Sequence, residues 1–236
     1  PATLADPAAL RAWCAAAPDR TWAGYILGIL AIWHRDLGIV APHGFKLVIA
    51  SDVPEGKGVS SSAALEVAAA TALAALLGIA RPPADLALDC QRVENLVVGA
   101  ACGVMDQMTA CCGEEQHLLE LLCQPARIEG QVEIPDGLRF WGIDSGVRHS
   151  VAGSDYTSVR IGAFMGHRIL AEAAGAHPER DGDRVWLSGD PFGGYLANVT
   201  VRRVEGEFAA LLPEAMTGGE FLARFGGTID RATHVD

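Results

Sequence analysis

The apolar positions of this chain change their period several times, and each change marks an element. Residues 22–37 are apolar almost throughout and stop at Gly38, which predicts a buried helix with a glycine end. Residues 45–50 then alternate, with Phe45, Leu47 and Ile49 on one side, and predict a strand over about 45–51. A glycine-containing turn follows. The alanine-rich run beyond it predicts a helix over 62–77, closed by Gly78. Pro82 and Pro83 break the chain before a helix over 84–98 that carries Glu94. Residues 99–103 form a predicted turn, and 105–112 a short helix bearing Asp106. The stretches 117–123, 129–134 and 139–143 are strand-like, separated by Pro125, Gly130 and Pro135-Asp136-Gly137. Residues 155–174 predict one long helix with Tyr156, Val159, Ala163, Gly166 and Leu170 on a single face. The polar, Gly/Asp/Pro-rich stretch 182–194 predicts a loop, and 204–212 and 219–225 a weaker helical tail. At the other end a helical patch over 7–17 precedes Pro18. Mixed helices and strands without a repeat define an α+β class.

The chain has 236 residues, enough for one large domain or two small ones with a sizeable core. Half of the residues are apolar and a fifth charged, the balance of a soluble globular protein rather than a disordered one. The net charge of −11, without any lysine- or arginine-rich block, argues against nucleic acid and anionic membranes as partners. The most apolar runs are 22–33, which is too short to span a bilayer, and 63–80, which is interrupted by Glu66. A spanning helix needs about 20 strongly apolar residues, so both runs predict buried core helices. No signal peptide is visible. The six cysteines, Cys14, Cys90, Cys102, Cys111, Cys112 and Cys123, form no Cys-x2-Cys pair, and Cys111-Cys112 has no histidine at finger spacing. Reduced thiols and a cytoplasmic location are the default expectation.

Candidate chemistry concentrates in Pro54-Glu55-Gly56-Lys57-Gly58-Val59-Ser60-Ser61-Ser62. Glycines let a backbone approach a ligand closely, and the N–H groups and dipole of the helix that follows make a site for an anion such as phosphate. The same residues also describe an ordinary serine N-cap after a Gly-x-Gly turn. The segment is not a Walker A loop, since Gly58 follows Lys57 and the Gly-x4-Gly spacing is missing.

Pro-x-Gly-x-Gly-Val-Ser-Ser-Ser-Ala resembles the phosphate-binding motif of the GHMP kinases. Cys102-Gly103-Val104-Met105-Asp106-Gln107-Met108 is similar to the Cys-Gly-Ile-Met-Asp-Gln-Phe segment of galactokinases within that superfamily. Gly146-Val147-Arg148-His149-Ser150, with Ser154-Asp155-Tyr156 and Arg160, resembles the galactokinase stretch after its central strand, and Trp22-Ala23-Gly24-Tyr25 its Trp-Ala-x-Tyr. The wording around Glu55–Val59 and Phe140–Gly146 is nearer still to the plant-type L-arabinokinase branch.

The resemblance implies a GHMP kinase fold. Residues 1–140 would form the N-terminal, ribosomal-protein-S5-like domain that binds ATP, and 141–236 part of a ferredoxin-like C-terminal domain. It implies an ATP- and Mg²⁺-dependent sugar-1-kinase acting on galactose or L-arabinose. Asp106 would be the catalytic carboxylate, against the plain alternative of a helix cap. Ser62 and Glu94 would hold the metal, although Glu94 also suits an exposed salt-bridging face. Gly56, Lys57, Gly58, Ser60, Ser61 and Ser62 would receive the phosphates, with Lys57 equally readable as a solvated lysine. Trp22 would border the adenine, where aromatic core packing is the ordinary explanation of Trp22 and Tyr25. Gly103, Asp106 and Tyr156 would contact the sugar, with Arg148 and His149 supporting Tyr156. The family's N-terminal sugar-binding motif and C-terminal glycine-rich motif are not found here. The chain is therefore expected to be the middle of a longer kinase, with little turnover by itself. A non-catalytic sugar and nucleotide sensor, or another GHMP small-molecule kinase, are the alternatives.

Overall fold

The computed structural model describes residues 6–147, 154–181 and 184–235. The chain divides into two compact units, Pro1–Val151 and Ala152–Asp236. In the first, α1 (Pro7–Ala15) starts at Asp6, whose carboxylate accepts from the N–H groups of Ala8 and Ala9, and α2 is Ala23–Leu37. The end of α2 follows from Gly38 at φ 67°, which turns the chain so that the Ile39 N–H bonds back to the Trp33 carbonyl. Helix α3 is Ser61–Leu77, closed by Gly78 in the same left-handed conformation. Helices α4 (Pro83–Val93) and α5 (Met105–Cys112) and the antiparallel hairpin β1 (His117–Leu122) and β2 (Arg127–Glu133) complete the unit.

Apolar stripes of α1 to α4 meet in one core built on Leu10, Ile29, Ile32, Trp33, Leu73, Leu86, Cys90 and Val93. Ala87 on α4 packs with Val104 and Met108 to seat α5. Helix α2 is tied to α4 by a buried carboxylate. Asp89 accepts from Trp33 Nε1 at 2.8 Å and from Arg81 Nε and Nη2 at 2.7 and 2.9 Å, which satisfies a charge that would otherwise be costly inside. The predicted helix over 84–98 is not uniform. Its last five residues, Glu94–Val98, form a π-turn, in which the Glu94 carbonyl accepts from the N–H groups of Gly99 and Ala100.

Two predicted strands, 45–51 and 139–143, belong to no sheet. A strand is defined by the neighbour that satisfies its backbone, and among the described residues these segments have no ladder partner. Most of their apolar side chains are open, with Val48 94% and Ile143 93% exposed, while Phe45 packs against the helical core.

In the second unit α6 (Ser154–Ala173) is followed by an antiparallel hairpin, β3 (His177–Asp181) and β4 (Arg184–Ser188). Part of the predicted 182–194 loop is therefore strand, because Val185 and Leu187 alternate behind the polar residues that suggested a loop. The predicted helix over 204–212 is instead a single turn α7 (Val201–Arg203), a π-turn (Val204–Phe208) and a 3-10 turn (Ala209–Leu211). Helix α8 (Gly218–Phe225) opens on a reciprocal cap between Thr217 and Glu220. Leu170, Ala176, Phe192, Val199 and Phe208 form this unit's core. Among the described residues no helix is long and apolar enough to cross a membrane.

Candidate active site

The turn before α3 is held in an unusual backbone. Gly56 and Gly58 have φ of 68° and 72°, and Ser60, with a side chain, sits at φ 59° and ψ 38° immediately before the helix. For a non-glycine residue that conformation costs about 1–2 kcal/mol, and such strain collects at ligand sites. Among the described residues no side chain caps α3, which leaves its first N–H groups without a side-chain acceptor. Lys57 pairs with Asp144 at 2.7 Å, an exposed contact, and with the Gly146 N–H it holds the Asp144 carboxyl below the usual carboxylate range.

One helical turn into α3, Ser62 and Glu66 share a face. Glu66 is only 1% exposed, and its Oε2 accepts from Gln107 Nε2 at 3.3 Å. The same Gln107 amide, itself 1% exposed, donates to Glu94 Oε2 at 2.9 Å. The Cys102 thiol also bonds to Glu94, and Gln107 Nε2 lies 3.9 Å from Cys102 Sγ. Carboxylates from α3 and from the π-turn thus converge on one side chain of α5. Burial, and next the charge of Glu94, push the Glu66 carboxyl well above its ordinary value. Burial and the two carboxylates push Tyr25 up to about 12. The Cys102 thiol is raised for the same reasons.

Asp106 is half-buried on the first turn of α5, beside Gln107. No side chain caps that helix, and Asp106 has no hydrogen-bond or ion-pair partner among the described residues. Gly103 is exposed with open space where a Cβ would stand. Trp22 lies at the start of α2, 54% exposed, whereas Tyr25 turns inward to the carboxylates. Glu94, readable in the sequence as an exposed position, is 6% exposed. Tyr156 belongs to α6 in the other unit and is partly exposed. Arg148, His149 and Ser150 lie outside the described residues. The sequence patterns assign no role to Glu66 or Gln107. The signal for Glu66 is a lone carboxylate in an alanine-rich apolar helix, and for Gln107 only its place after Asp106.

Residues 24–114, which include the glycine-serine turn, Glu66, Glu94, Asp106 and Gln107, match the family model of the GHMP kinases N terminal domain. This stretch is similar to the N-terminal domain of the GHMP kinases, and the structure has the mixed helices and small sheets of an α+β protein. L-arabinokinase of Arabidopsis thaliana is 45% identical over 233 residues, covering 93% of this chain and 22% of that protein. Galactokinases of Chloroflexus aggregans and Chloroflexus aurantiacus are 43% and 42% identical over 158 and 157 residues, each covering 66% of this chain and 40% and 39% of their own lengths. The chain therefore spans 22% to 40% of the length of these curated relatives.

Proposed function

We propose that the chain is part of an ATP-dependent sugar kinase, which transfers the γ-phosphate to the anomeric hydroxyl of L-arabinose or D-galactose. The observation that carries it is the convergence of Glu66, Glu94 and Gln107 beside Asp106, in a chain 45% identical to L-arabinokinase over 233 residues. Residues 1–140 are assigned to the nucleotide-binding domain and 141–236 to part of a second domain.

The residues of the chain divide the work. The strained turn at Ser60 and the N–H groups of Ser61 and Ser62 receive phosphate oxygens, aided by the dipole of α3. Lys57 adds a positive charge there, since an exposed ion pair such as that with Asp144 is weak and readily exchanged. Trp22 offers its exposed ring to the base. Gly103 and Asp106 contact the sugar.

Magnesium fits the donor set. Among the described residues no three His, Cys, Asp or Glu side chains gather to hold a metal by themselves. Glu94 and Ser62 supply one carboxylate and one hydroxyl, which suits an ion that takes its remaining ligands from phosphate and water. Among the described residues the buried oxygens Glu66 Oε1 and Gln107 Oε1 have no hydrogen-bond partner. When bound, the ion would offset charge on the phosphates. Asp106 accepts the proton of the sugar hydroxyl as its oxygen bonds to the γ-phosphorus and the bond to the β,γ-bridging oxygen breaks, releasing ADP.

The test is Asp106→Asn in the full natural polypeptide that contains these residues. ADP release with either sugar should fall about 10² to 10⁴-fold in kcat, with the ATP KM little changed. Near-normal turnover by the variant removes the proton-accepting role. Wild-type binding of ATP and sugar without any sugar phosphate by phosphorus NMR would make the protein a sensor.

A further inference from the structure

We propose that Gln107, anchored by Glu66, is the positioning residue that holds the Glu94 carboxylate for the divalent cation accompanying ATP. The proposal rests on Glu94 being a metal ligand. Glu94 stands where α4 gives way to a π-turn, so its backbone is at a break in the regular ladder. A glutamate side chain has three rotatable bonds, and two groups restrain this one: the Cys102 thiol and Gln107 Nε2 at 2.9 Å.

Gln107 is suited to that task in a way no apolar side chain would be. Its amide nitrogen carries two hydrogens, and two carboxylates from separate segments take them: Glu94 Oε2 at 2.9 Å and Glu66 Oε2 at 3.3 Å. All three side chains are buried, and a buried Glu-Gln-Glu group that leaves Glu66 Oε1 and Gln107 Oε1 without a partner among the described residues costs stability relative to packed hydrocarbon. Stability alone gives no reason to keep it. Holding a ligand does, because loss of a partner that fixes a metal-binding side chain typically costs about 10 to 100-fold in metal affinity. Gln107 follows Asp106 in sequence, so one turn of α5 presents the proton acceptor and orients the metal ligand together.

The test uses Mn²⁺ as a spin probe in the full natural polypeptide, with free Mn²⁺ read by electron paramagnetic resonance in the presence of ATP. Gln107→Met keeps the length of the side chain and removes both donors. It should weaken Mn²⁺ binding about 10 to 100-fold, while ATP affinity in EDTA is unchanged and circular dichroism shows a folded protein. Glu66→Met should do the same, and Glu66→Gln, which keeps an oxygen for Gln107, should restore what Glu66→Met loses. A folded Gln107→Met with wild-type Mn²⁺ affinity, alongside a Glu94→Gln that has lost it, overturns the role of Gln107 and leaves Glu94 as the ligand. Glu94→Gln with undiminished Mn²⁺ affinity overturns the ligand assignment and the proposal with it. If neither Gln107→Met nor Glu66→Met folds, Gln107 is structural and the proposal is likewise overturned.

Discussion

Glu66 sits inside a helix of alanine, valine and leucine, and burial together with the Glu94 charge keeps it protonated far above the ordinary carboxyl range. A carboxyl raised in the folded state binds its proton when the unfolded chain has already released it. Stability is therefore whole below the unfolded value and falls as pH rises toward the folded one. Glu66→Gln removes that dependence. The variant should melt at a higher temperature than wild type at pH 8, with the difference closing toward about pH 4, near the unfolded glutamate value. A melting difference that is constant across this range would show that Glu66 is ionised in the fold. That a carboxylate lies at position 66 is plain from the sequence, and its isolation among apolar residues marks it as special. Its partner is not legible, because Gln107 is 41 residues away and reaches it only through the packing of α3 on α5.

At the scale of elements, the approach of α2 to α4 decides where Glu94 stands. Gly28 is what permits it: a Cβ there would lie 2.5 Å from Val93 Cγ1, and Val93 is the residue immediately before Glu94. Gly28→Ala gains up to about 1 kcal/mol of helix propensity but overlaps a stiff, fully buried side chain, at a cost of about 1–3 kcal/mol. Net destabilisation in a denaturant titration is expected, and Val93→Ala in the same chain should relieve it, which a double-mutant cycle would register as favourable coupling. An additive cycle would mean that the helices shift apart freely. The helices themselves are legible, since Gly38, Gly78 and Pro83 stop and start them at or within a residue of the expected places. The π-turn at Glu94–Val98 is not, because an inserted residue in a helix leaves no mark on a short apolar pattern.

At the scale of the whole molecule, each unit has its own buried cluster. Phe192 in the second unit stands edge-on to Phe208 and His167, with ring centroids 6.0 and 6.4 Å apart. Phe192→Ala leaves a cavity worth about 3–5 kcal/mol. Hydrogen exchange should quicken along α6 and its neighbours while the amides of α2 and α4 keep their protection. Equal loss in both units would mean that they unfold as one.

What the sequence by itself determined is what depends on near neighbours: helix periods, glycine and proline stops, the strand segments at 117–123 and 129–134, and a glycine-serine turn leading into a helix. What only the tertiary structure decided depends on distant ones. The strand-like patterns at 45–51 and 139–143 require a ladder partner that no local rule supplies, and among the described residues they find none. Lys57 meets Asp144, and the carboxylates of α3 and the π-turn meet at Gln107, through contacts between residues 13 to 87 positions apart. Periodicity encodes which face of a segment is buried; it does not encode against what, and the site is made of those pairings.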